Sequence, residues 1–91
     1  MNLEFVLNQD NKYEVSFEVS NDFNVHIEKT SPGPVEFYQS TVSGGNYDKV
    51  DVTNNTNGVV VDLDFTGVVY PKFIKVISST NVLSAVLTIA E

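Results

Sequence analysis

The chain contains no cysteine, a single histidine, and only five basic residues against twelve acidic ones. Each scarcity removes a class of explanation. Without cysteine there is neither a disulfide staple nor a thiolate metal site, so stability must come from apolar packing or from partners. A formal net charge of −7 at pH 7 is the wrong sign for neutralising phosphates, so DNA and RNA are not expected partners. No apolar run exceeds four residues, far below the roughly 20 needed to span a bilayer. The segment Met1-Asn2-Leu3-Glu4 is strand-like and lacks the basic and apolar regions of a signal peptide, so no membrane partner is expected either. No stretch holds a helical period long enough to form a crossover, which excludes a parallel α/β fold.

What is present is period-2 alternation. Val59, Val61, Leu63 and Phe65 point one way and Val60, Asp62 and Asp64 the other, the pattern of a half-buried strand. The next run, Tyr70 to Ile77, is joined to it by Thr66-Gly67-Val68-Val69, and the two together predict a hairpin. Upstream, Tyr13, Val15, Phe17 and Val19 alternate with Glu14, Ser16 and Glu18. After Ser20-Asn21-Asp22, Phe23, Val25 and Ile27 alternate with Asn24, His26 and Glu28, and these two runs also predict a hairpin. Leu3, Phe5 and Leu7 read as one face of a first strand, ended by Asn8-Gln9-Asp10-Asn11.

Thr30-Ser31-Pro32-Gly33-Pro34 cannot sustain a ladder, because two residues lack an N–H, and it predicts a crossing between sheets. A strand over Val35 to Val42 follows, with Val35 and Phe37 on one face. Ser43-Gly44-Gly45-Asn46 turns the chain, and Tyr47 to Thr53 carries Val50 and Val52 inward. A last strand, Val82 to Ala90, places Leu83, Ala85, Leu87 and Ile89 on the core side. About eight short strands with regular turn signals predict one all-β domain over residues 1–91, an antiparallel β-sandwich of jelly-roll or Ig-like type. Its radius of gyration should be roughly 12 Å, and both ends are expected to be paired into sheets.

The residue sets that usually carry catalysis are absent from the pattern. His26 lies on the outward face of its strand with no sequence neighbour to serve as nucleophile or acid, and reads as a surface imidazole. No Gly-x-Ser-x-Gly elbow occurs. Asp62 and Asp64 share one strand face, and Asp48 and Asp51 lie close to Gly44-Gly45-Asn46. Their spacing matches no calcium loop, and they read as a solvated acidic face. Neither a catalytic residue nor a cofactor or metal ligand is assigned, and an enzyme is not expected. Tyr38, Tyr47 and Tyr70 fall outside the main core set, where they either cover sandwich ends or anchor a sugar or protein contact. Asn54-Asn55-Thr56 fits the glycosylation pattern but reads as a turn.

The order of features from Val35 onward is familiar: Phe37-Tyr38-Gln39-Ser40, Gly44-Gly45-Asn46-Tyr47-Asp48-Lys49-Val50, Tyr70-Pro71-Lys72-Phe73-Ile74-Lys75-Val76, then a closing apolar strand. It resembles the small β-sandwich proteins of tailed-bacteriophage virions, among them auxiliary or decoration proteins of the capsid. The resemblance implies a structural protein in multiple copies, made in the host cytoplasm and bound to the major capsid protein on the outer shell. A similar strand order occurs in discoidin-like and carbohydrate-binding sandwiches, which implies a glycan-binding or adhesion module as the alternative.

Overall fold

The computed structural model describes residues 1–42, 44–52, 56–68 and 71–90. Eight strands follow one another: β1 (Val6–Leu7), β2 (Tyr13–Val19), β3 (Phe23–Lys29), β4 (Val35–Ser40), β5 (Asp48–Val50), β6 (Val60–Phe65), β7 (Lys72–Ser78) and β8 (Val82–Ile89). They form a five-stranded sheet in the order β1-β2-β7-β4-β5 and a three-stranded sheet in the order β6-β3-β8. All pairings are antiparallel. Among the described residues there is no helix. The all-β sandwich expected from the alternation is the fold observed.

The two sheets meet through their inward side chains. Val19, Val35, Phe37, Ile74 and Val76 from the larger sheet are buried with Phe23, Val25, Ile27, Val61, Leu63, Ala85 and Leu87 from the smaller. Four phenylalanines run across the interface: Phe17 meets Phe23 edge-on at 5.9 Å, Phe23 stacks on Phe65 at 4.7 Å, and Phe65 touches Phe37 at 5.2 Å between ring centroids. Such ring pairs add about 0.5–1.5 kcal/mol beyond their area burial. The Cα radius of gyration is 12.4 Å.

Two expected hairpins are instead arches. β2 pairs with β1 and β7, whereas β3 pairs with β6 and β8, so Ser20-Asn21-Asp22 carries the chain from one sheet to the other. β6 and β7 likewise lie in different sheets. The alternation cannot separate these outcomes, because both put the same side chains into the core. Backbone conformation does distinguish the first. The true hairpins β1–β2 and β4–β5 contain residues with positive φ, Asn11 at 59° and Gly44 at 70°, while no residue from 20 to 22 has one. The crossing expected at residues 30–34 is present between β3 and β4.

Three inward positions also differ from expectation: Leu83, Leu7, and Val59, which precedes β6 and is exposed. Leu83 is 72% exposed, and Val82 packs against the core in its place. A register shift between Glu28 and Lys29 sets Glu28 opposite Ser84 and Lys29 opposite Val82, leaving Leu83 as the extra, bulged residue. The first strand is shorter than its alternation suggested. Leu3 is buried and Phe5 half-buried, but Leu7 lies on an open edge and is exposed.

Residues 1–7 stitch the sheets together. Asn2 bridges Val86, with Leu3 N donating to Ala85 O at 2.9 Å and Leu87 N to Met1 O at 2.8 Å. Four residues further on the chain pairs with β2 in the other sheet. At the opposite end Gly33 sits so close to the β7–β8 turn that an added Cβ would lie 2.5 Å from Ser79 Oγ and 2.7 Å from Thr80 Cγ2. Gly33→Ala is therefore expected to cost about 1–2 kcal/mol by overpacking, read as a lower urea midpoint at unchanged m-value. An unaltered midpoint would show that the turn yields freely.

Candidate functional site

The outer face of the three-stranded sheet carries a connected polar cluster, built by cross-strand register. His26 lies opposite Asp62 and Asn24 opposite Asp64, while Glu28 lies opposite Ser84. Asn24 Nδ2 donates to Asp62 Oδ1 at 2.6 Å and to Asp64 Oδ1 at 2.9 Å. His26 Nδ1 donates to Asp62 Oδ2 at 2.9 Å, and Nε2 lies 3.6 Å from Glu28 Oε2. No lysine reaches Asp62 or Asp64 among the described residues. The hydrogen bond to Asp62 raises the His26 pKa above its usual value, with burial opposing and Glu28 adding to the rise. Asp62 is held below its usual value first by Asn24 and then by His26.

The sign of the pH response follows. His26 gains partners on folding, so its stabilisation is fully present below the unfolded imidazole value of about 6.5 and is lost as pH rises through the folded value. Asp62 contributes above its unfolded value, and that contribution fades as pH falls through the folded one. An NMR titration of the His26 ring should show a midpoint above about 6.5 in the native chain, moving down toward it in Asp62→Asn. Equal midpoints in the two proteins would refute the assignment.

On the other sheet, Tyr38 and Tyr47 come together around Lys75. Lys75 lies opposite Tyr38 in the ladder, and its Nζ sits 4.3 Å from the Tyr47 ring centroid. With Asn46 and Ile77 they line a shallow depression of about 340 Å³. Beside it, Lys49 Nζ pairs with Glu36 Oε2 at 2.9 Å and holds that carboxyl below its usual range. Tyr70, Asn54 and Asn55 lie outside the described residues. Asp48 and Asp51 do not converge. Asp48 lines a depression with Gln39 and Lys72, and Asp51 lines another with Glu36 and Lys49.

Sequence reasoning passed over Lys29. It is 1% exposed and points into the sandwich in phase with Phe23, Val25 and Ile27. Its Nζ donates to Gly33 O and to Thr56 O, the latter at 3.0 Å, tying the β3–β4 crossing to the segment before β6. Burial pushes its pKa below the usual lysine value. The signal was the phase itself, since Lys29 is the next inward position of its strand.

The only imidazole is held by carboxylates on an open sheet face, with no hydroxyl nucleophile among the described residues bonded to it. The buried amine is committed to backbone carbonyls. Among the described residues no three of His, Asp or Glu come together in an arrangement able to hold a metal ion. Comparison with protein-family models, curated proteins and solved structures finds no match.

Proposed function

We propose that the chain is a non-catalytic structural protein of a phage virion, an auxiliary protein that decorates or cements the outer shell by binding the major capsid protein. The observation that carries this reading is where the exposed apolar side chains lie. Val6 and Leu7 are on β1, Val60 on β6, and Leu83 and Val86 on β8, all but Val86 more than half exposed. These strands border the two sheets. An open sheet edge can pair with another chain, and apolar side chains on the shorter or covered edges add contact area beside it. The acidic surface suits an outer position better than one against packaged DNA. Size-exclusion chromatography with light scattering tests the reading. The chain alone should run as a monomer and should co-elute with assembled shells when they are added, and failure to join shells under any condition would overturn it.

The depression between Tyr38 and Tyr47 favours a second reading, a carbohydrate-binding or adhesion module. Lys75 already covers one face of Tyr47, which leaves Tyr38 and the rim of Tyr47 for a sugar. A glycan array would show hits lost in Tyr38→Ala and Tyr47→Ala if this reading held. A blank array would remove it.

A further inference from the structure

The four sheet borders are not equivalent. β1 and β5 are two and three residues long, too short to template a strand. β8 is covered over Ala85 to Leu87 by the chain's own first residues and bulged at Leu83. β6 has none of these protections among the described residues. It is six residues long, its register against β3 is unbroken from Phe65 to Val60, and it contains neither proline nor lysine.

The ladder also tells which backbone groups are open. Lys29 N donates to Val59 O at 2.8 Å, which makes 29 and 59 a hydrogen-bonded pair. In an antiparallel ladder such pairs alternate, so residues 61, 63 and 65 also bond to β3, and the N–H and C=O groups of Val60, Asp62 and Asp64 point away from it. β6 pairs only with β3 among the described residues. The layer beside it has a roof. Phe65 touches Phe37, placing β6 beneath β4, and β5 projects past it with Val50 half-buried on the inward side.

We infer that the β6 edge receives an extended segment of a partner protein bearing lysine or arginine at alternate positions and apolar residues between them. This rests on the assembly reading above and names the strand and the chemistry it selects. The partner residues opposite Val60, Asp62 and Asp64 share the outer face with two carboxylates that no lysine among the described residues reaches, Asp62 bonded to His26 and Asn24 and Asp64 to Asn24. The intervening residues turn inward beneath Val50. Opposite charges across a ladder stabilise it and like charges destabilise it. A second copy offers these carboxylates no cation. Full antiparallel overlap of two β6 strands sets Asp62 against Asp62, a shift of one pair toward Phe65 sets Asp62 against Asp64 twice, and the opposite shift sets Asp62 only against Val60.

The test is an NMR titration of the isotope-labelled chain with a short capped peptide alternating lysine and valine, against one alternating glutamate and valine. The amide signals of Val60, Asp62 and Asp64 should move most. The lysine peptide should bind more tightly by about tenfold, the equivalent of a few cross-strand charge pairs. Asp62→Lys with Asp64→Lys should invert the preference; if that variant does not fold, Asp64→Lys alone, which loses only its bond to Asn24, should abolish it. No binding, equal affinities, or shifts centred on another element would overturn the inference. The native and reversed chains are then offered to assembled shells. If both bind, the assembly reading stands and the edge inference falls. If neither binds while the lysine peptide does, the edge inference stands and the assembly reading falls.

Discussion

Phe37→Ala is expected to remove a large part of the stability of the domain. Phe37 is fully buried on β4, set between Val76 on β7 and Val50 on β5, and its ring meets Phe65 across the sandwich at 5.2 Å. Truncating such a ring costs about 3–5 kcal/mol, the transfer term plus the cavity left behind. A domain of this length has only about 5–14 kcal/mol in total. The melting temperature should fall by about 15–30 °C, measured by circular dichroism. Tyr38→Ala, one residue along on the opposite face, is the control, and its effect should stay near 1 kcal/mol. A fall below about 5 °C for Phe37→Ala would mean that the two sheets do not share the core described above.

The second large effect is at Lys29. Replacing it by alanine removes a buried four-carbon stem and strips Gly33 O and Thr56 O of their donor. A buried large-to-small change costs about 2–5 kcal/mol, and each orphaned carbonyl adds about 1 kcal/mol or more. Removal of the ammonium gives some of this back, because a buried charge is expensive to desolvate. The net loss should be about 3–5 kcal/mol for Lys29→Ala. Lys29→Met keeps the stem and should lose only about half as much.

The pH dependence separates the two terms. The folded pKa of Lys29 is depressed by burial, so the unfolded chain holds the proton at pH values where the folded chain has released it. The penalty of burying the charge is therefore fully present below the folded value and is relieved as pH rises toward the ordinary lysine value of about 10.4. The native chain should gain on Lys29→Met along that rise in urea unfolding. A constant difference would mean that the amine is not desolvated.

The sequence was most legible where one periodicity decides one question. Inward residues such as Val25, Ile27, Phe37, Val61 and Leu63 are all buried as their phase requires. Strand pairing was not legible, because a hairpin and an arch demand the same alternation and differ only in the turn. Val82 and Leu83 exchanged places because a bulge resets the phase without leaving a mark in residue type. Lys29 was hidden by the habit of reading charge as exposure. The outward position of His26 and the separate environment of Tyr38 and Tyr47 were readable. That β6 forms an open border depends on the order of strands within the sheet, which the alternation does not encode.

The stitch made by residues 1–7 bears on how the chain reaches this fold during synthesis. Met1 and Leu3 find their partners on β8, at Leu87 and Ala85, with a sequence separation of 86 between Met1 and Leu87. Residues 1–3 must therefore wait until β8 has been made before they can be placed. Pairing across such a separation closes a long loop before any contact rewards it, which puts folding in the range of about milliseconds to seconds. Until then β8 presents a long bare border, so the chain is most exposed to wrong pairing just before residues 1–3 close the sheet.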